Sequence, residues 1–175
     1  VVLPFSIDTN KVNGAEFYSV VMMKQAGKWV AGASQVKTTQ LVANTPYLLF
    51  AKEQNLTFYG PVTFNTSEMH DSTTVYEEDG CAWTFKGTYT KHVWGEGDPE
   101  LGKVYAFSAH DVSDDIKIGK FTKFGKDAWI RPMRAYLIYE QLPSSDPEPD
   151  NAPNARSFKP MPFTASIEEH DVPEC

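Results

Sequence analysis

No window of this chain carries a convincing helical period. Its apolar residues fall instead in short runs punctuated by turn pairs such as Asn13-Gly14, Asn44-Thr45-Pro46, Gly60-Pro61 and Gly125-Lys126-Asp127. Turn signals every 8–12 residues or so with β-branched and aromatic runs between them are the pattern of an all-β chain. The clearest alternation is Trp83 to Lys91, with Trp83, Phe85 and Tyr89 on one parity and Thr84, Lys86, Thr88 and Thr90 on the other. Successive strand side chains point to opposite faces, so this segment presents one face to a core and one to water. Gly87 falls on the apolar parity, where it predicts a bulge or a close approach of another backbone.

Asp127 to Leu142 is read as the closing element of the core. Ala135-Tyr136-Leu137-Ile138-Tyr139 is too short for a helix and rich in Tyr and Ile, and Pro132 before it suits the start of a strand. Phe17 to Met23 is apolar on both parities and predicts a central strand. Further strands are expected over Val2–Ile7, Trp29–Val36, Tyr47–Lys52, Leu56–Tyr59, Val62–Phe64 and Val104–Ala109. Ile116 to Phe124 reads as an edge ribbon protected by lysines. Residues 65–80 are polar and acidic and read mostly as a long loop. The expected architecture is a β-sandwich of about ten short antiparallel strands, with an open β-barrel as the alternative.

Charge divides the chain. Residues 1–142 hold 14 Lys and Arg against 16 Asp and Glu, whereas 143–175 hold Arg156 and Lys159 against seven acids. That second stretch is crowded with Pro143, Pro147, Pro149, Pro153, Pro160 and Pro162. An all-β domain over 1–142 and a Pro- and acid-rich linker or tail over 143–175 are therefore expected. Phe158, Met161 and Phe163 are the residues expected to pin that tail to a sheet. No basic patch suggests a nucleic acid or an anionic membrane as partner, and no apolar run is long enough to insert in a membrane. No signal peptide is visible and the chain does not open on Met, so it is expected to be a piece of a longer protein. Its two cysteines, Cys81 and Cys175, can form a disulfide or leave Cys81 as a buried structural thiol; two do not make a zinc site.

Few residues read as chemistry. His70-Asp71, His110-Asp111 and His170-Asp171 are adjacent pairs near loops, where solvated residues are the plain reading. No nucleophile elbow, zinc-binding helix or phosphate loop is present. Asp111, Asp114 and Asp115 form an acidic connector that is a candidate calcium site or a solvated turn, and no other cofactor is indicated. Trp94-Gly95-Glu96-Gly97-Asp98-Pro99-Glu100-Leu101-Gly102 is a loop on turn chemistry. Trp94 there is a candidate for stacking on a sugar ring, with Glu96, Asp98, Glu100 and nearby Tyr89 as hydroxyl-binding partners. The competing reading has Trp94 capping the core edge while the acids keep the loop soluble. A third reading pairs Glu96 or Asp98 with a second acid in a small glycoside hydrolase. Trp29, Trp83 and Trp129 sit in strand-like settings and are expected in the core.

Four segments form an ordered series: Leu3-Pro4-Phe5, then Thr45-Pro46-Tyr47-Leu48, then Phe85-Lys86-Gly87-Thr88-Tyr89, then Arg131-Pro132-Met133-Arg134-Ala135-Tyr136-Leu137. The series resembles a β-rich module found towards the C-terminal end of large secreted and surface proteins of the Bacteroidetes and Fibrobacter groups. There it runs roughly LPF, G.PYL, F.GTY, PFRAYL, so Met133 replaces the usual aromatic. The resemblance covers about 1–142. It implies a secreted or cell-surface β-domain, not an enzyme, attached to adhesins, repeat proteins or carbohydrate-active enzymes, with neighbouring domains and polysaccharide as its expected partners. No catalytic residue carries over from it. A purely structural or secretion-associated role is the alternative it leaves.

Overall fold

The computed structural model describes residues 1–36, 40–62, 64, 72–78, 80–109, 118–142 and 164–166. Among these, nine strands build two antiparallel sheets. In chain order they are β1 (Ala15–Gln25), β2 (Lys28–Gln35), β3 (Leu48–Ala51), β4 (Ser72–Glu78), β5 (Cys81–Thr88), β6 (Val104–Phe107), β7 (Phe121–Lys123), β8 (Arg134–Gln141) and β9 (Thr164–Ser166). One sheet has the order β9-β2-β1-β3 and the other β7-β6-β8-β5-β4. Neither closes on itself, so the fold is all-β and sandwich-like rather than a barrel. Three two-residue ribbons lie outside the sheets: Ile7–Asp8 with Gln40–Leu41, Val12–Asn13 with Thr57–Phe58, and His92–Val93 with Trp129–Ile130.

Local chemistry explains the pairing. The β1–β2 hairpin turns on Ala26 at φ 50° and Gly27 at φ 77°. Two consecutive positive φ values match the right-handed strand twist, and glycine takes the second at no steric cost. β1 lies between β2 and β3, as its apolar character on both faces predicts. Its even residues Val20 and Met22 join Trp29 and Ala31 of β2 against Cys81, Trp83, Phe85, Tyr105, Phe121, Leu137 and Tyr139 of the second sheet. Trp83 centres this core, its ring 5.6 Å from Trp29 and 5.2 Å from both Tyr105 and Tyr139. Tilted and edge-on rings at such spacings add to the area term. The indole N–H groups of Trp29 and Trp83 are buried without an acceptor among the described residues, a cost this aromatic packing must outweigh. Phe17, of opposite parity to Val20 in β1, packs into a second cluster with Leu3, Ile7, Val12, Leu41 and Tyr47.

β8 is apolar on both faces because it has a core on each. Leu137 and Tyr139 point into the core between the sheets, while Tyr136 and Ile138 point into a third cluster with Trp94, Val104 and Ile130. It is also the middle strand of its sheet, pairing Leu137 with Phe85 on one side and with Tyr105 on the other. The turn ahead of it runs through Pro132 to Met133 at φ 63°, a sequence that places a non-glycine residue in the left-handed region.

Cys81 is fully buried and disulfide-bonded. The chain's other cysteine, Cys175, lies outside the described residues. A disulfide sulfur carries no proton, so the Tyr139 hydroxyl, 3.2 Å from Cys81 Sγ, donates to it. Gly87 is closely approached, though by a side chain rather than by the backbone expected there. A Cβ there would lie 2.6 Å from Val2 Cβ.

Several expected boundaries are corrected. Part of the loop expected over 65–80 is strand β4, which pairs along β5 from Ser72–Lys86 to Glu78–Cys81. A polar edge strand lacks the apolar alternation by which strands are read. Val2 to Ile7 is not one strand: Val2 bridges Pro46, Phe5 bridges Phe64, and only Ile7–Asp8 forms a ladder. Thr164–Ser166, within the stretch expected as tail, adds an edge strand to β2. Phe158, Met161 and Phe163 lie outside the described residues.

Candidate functional site

The ribbon His92–Val93 with Trp129–Ile130 leads directly into the 94–102 loop and fixes its base. Trp94 N donates to Ala128 O at 3.0 Å, and Asp127 N donates to Trp94 O at 2.9 Å. Gly97 at φ 86° and Gly102 at φ 82° turn the chain back. Asp98 stiffens the turn, its Oδ1 accepting Glu100 N at 2.8 Å. A short Asp side chain that bonds the backbone two residues on is the usual device for such a turn.

This folding carries Glu100 inward. Its Oε1 accepts Lys86 Nζ at 2.7 Å, and its Oε2 accepts both Trp94 Nε1 at 3.1 Å and Tyr136 OH at 3.0 Å. Beside it, Asp98 Oδ2 lies 2.9 Å from His92 Nε2. The His92 ring sits 4.8 Å from that of Trp94, whose other aromatic neighbours are Tyr136 at 5.1 Å and Phe124 at 5.3 Å. Burial pushes the Glu100 carboxyl up, but hydrogen bonds from Lys86, Trp94 and Tyr136, with the Lys86 charge, outweigh it and hold the group below the usual carboxylate range.

Trp94 is therefore not a sugar platform. It is 0% exposed, with no ring face open to a ligand. Asp98 and Glu100 do converge with it, but their oxygens are engaged within the protein. Glu96 does not join them; it is 87% exposed and pairs with Lys126 at 2.9 Å. Tyr89 donates to Asn44 Oδ1 at 2.7 Å, bracing a buried turn where Asn44 holds φ 60°. Asp111, Asp114 and Asp115 lie outside the described residues, as do the three His-Asp pairs. His92, Asp98 and Glu100 each offer one ligand atom, all within 4.8 Å of one another. A cation there would displace the Lys86 ammonium from Glu100 and compete with the Trp94 and Tyr136 donors. As the chain stands, the carboxylates of Asp98 and Glu100 are held by His92, Lys86, Trp94 and Tyr136.

Sequence reasoning missed Lys86, His92 and Tyr136 as members of this network. Lys86 and Tyr136 are cross-strand partners in the β5–β8 ladder, a register only the paired sheet reveals. Trp129, expected in the core, is 49% exposed. In a two-residue strand only one of Trp129 and Ile130 can face inward, and Ile130 does.

Compared with known proteins, the chain matches no family model, no curated protein and no solved structure.

Acid should weaken this site in a defined direction. The folded-state Glu100 carboxyl titrates below its unfolded value, so its contribution is fully present above the ordinary carboxylate range. It is lost as pH falls through the depressed folded-state value. Thermal unfolding of Glu100→Gln against the parent protein, from pH 7 to pH 2.5 or so, should show the gap between them narrowing at the acid end. A gap independent of pH would remove Glu100 from the acid response.

Proposed function

We propose that this chain is a non-catalytic module of an exported bacterial surface protein, serving as a scaffold and binding domain beside larger partner domains. The observation that carries this reading is the closed state of the 94–102 loop. Its two inward acids, Asp98 and Glu100, are occupied by His92, Lys86, Trp94 and Tyr136. A hydrolytic pair needs one carboxyl free to protonate a leaving group and another facing the reacting carbon, and neither acid is free here. The ordered LPF, TPYL, FKGTY and RPMRAYL series supports the family side of the reading. The disulfide at Cys81 supports an oxidising compartment, where such bonds persist.

The test pairs turnover with stability. The protein is incubated with a polysaccharide panel and assayed for new reducing ends, alongside Glu96→Gln and Glu100→Gln. The expected result is no turnover by any of the three, with a lower melting temperature for Glu100→Gln alone. Turnover by the parent protein that disappears in either variant would replace this reading with the glycoside hydrolase one.

A further inference from the structure

The ribbon that closes the loop has a second face. His92 and Ile130 form one cross-strand pair, and Ile130 is 7% exposed in the third core cluster. The other pair, Val93 and Trp129, points the opposite way, 47% and 49% exposed. One further step along the register places Lys91 across from Arg131, on the parity of Val93 and Trp129. Both cations are exposed, and both lean on the same indole. Lys91 Nζ lies 5.0 Å and Arg131 Cζ 5.7 Å from the Trp129 ring centroid.

Among the described residues, neither Lys91 nor Arg131 has a carboxylate partner, in a chain whose acids outnumber its bases by 23 to 16. Like charges directly opposite on a ribbon are unfavourable, and the indole face offsets only part of that through cation–π attraction. The face is thus apolar at its centre and positive at its edge. An anion that also carries an apolar surface would satisfy both parts.

We infer that the exposed Val93–Trp129 face of this ribbon, with Lys91 and Arg131, binds an acidic polysaccharide through its uronate units. The indole stacks against the C–H face of a sugar ring. The Arg131 fork and the Lys91 ammonium take the ring carboxylate, the fork in bidentate fashion. Two cations beside a single exposed ring suit one carboxylated sugar. They fall short of the basic stripe that tracks a nucleic-acid backbone. This inference rests on the binding half of the proposed function and moves its site from the Trp94 loop to the back of the same ribbon.

The test is affinity electrophoresis of the intact chain in native gels containing polygalacturonate or alginate, with their esterified, uncharged forms in parallel. Retardation by at least one acidic polymer and by neither ester is expected. Trp129→Ala should abolish it. Lys91→Gln with Arg131→Gln should weaken it about tenfold or more, the loss of roughly one good charge contact, as should raising the salt. All variants should melt with the parent protein, since none of these side chains is buried. Retardation by neither acidic polymer, equal retardation by the esters, equal binding to polyglutamate or single-stranded DNA, or binding untouched by Trp129→Ala would each overturn the inference. These failures leave the scaffold reading standing; only turnover in the polysaccharide assay removes that.

Discussion

Trp94→Ala will lower the free energy of unfolding by about 3–5 kcal/mol, the range for removing a large buried aromatic. Three losses combine. The side chain is fully buried, so its apolar area is no longer removed from water and a cavity opens beneath Phe124 and Tyr136. The half-buried Glu100 carboxylate also loses the indole N–H that Oε2 accepts, keeping only the Tyr136 hydroxyl there, and a lost charge-assisted hydrogen bond adds its own cost. Finally, the third cluster is what gives β8 its second buried face, so the loss is felt in the central strand of the sheet. Denaturant unfolding of the variant measures this directly. Trp129→Ala is the control, on the same ribbon and with the same chemical deletion. Its side chain is 49% exposed, so its cost should be within about 0.5 kcal/mol, as for most surface substitutions. Equal losses for the two would mean that the burial pattern of the ribbon is reversed.

Gly87→Ala should cost about 1–3 kcal/mol, as overpacking of a tight site does. The added methyl would sit 2.6 Å from Val2 Cβ and 2.7 Å from its Cγ1, closer than carbons approach without strain. Val2 cannot readily retreat. It is 0% exposed, bridges Pro46, and donates its backbone N–H to Met133 O at 3.3 Å. The clash therefore pushes on the segment that joins the first residues to the turn ahead of β8. A double-mutant cycle with Val2→Gly separates this from a general intolerance of β5. The double variant should be less destabilised than the sum of the two single changes, by the coupling expected of residues in contact. Strict additivity would show that the substitution hurts for another reason.

The two tryptophans show how much of the candidate site was legible. That residues 94–102 form a loop followed from Gly95, Gly97, Pro99 and Gly102. That Trp94 turns inward did not, because a Trp between a short strand and a polar loop fits either a capped core or an exposed platform. Trp129 is expected in the core from its strand-like setting, but it alternates with Ile130 and the structure buries Ile130 instead. The arrival of Lys86 at Glu100 needs the β5–β8 register, which no local pattern encodes. Ser72 to Glu78 was missed for a related reason: a strand of mostly polar residues has no apolar alternation to betray it. Gly87 was different. Its place on the apolar parity of β5 predicts a bulge or a close backbone, and the structure supplied the close approach from the Val2 side chain.

What the sequence determined by itself was the class of the fold and the central place of the Phe17 to Met23 strand; that the closing segment β8 lies in the middle of its sheet came from the structure. Short runs with period-2 alternation and frequent turn residues can bury their apolar faces only as sheets. A run apolar on both parities, such as that of β1, belongs in the interior of a sheet. These are local properties of the backbone and of side-chain direction, and they hold before any two segments meet. The tertiary structure alone decided which face of the His92–Val93 and Trp129–Ile130 ribbon is buried and where the acids of the adjoining loop find their partners. It also decided that the Cys81 thiol is consumed in a disulfide. Each of these depends on contacts between residues far apart in the chain. Their outcome is set by competition among several apolar faces for the same limited core.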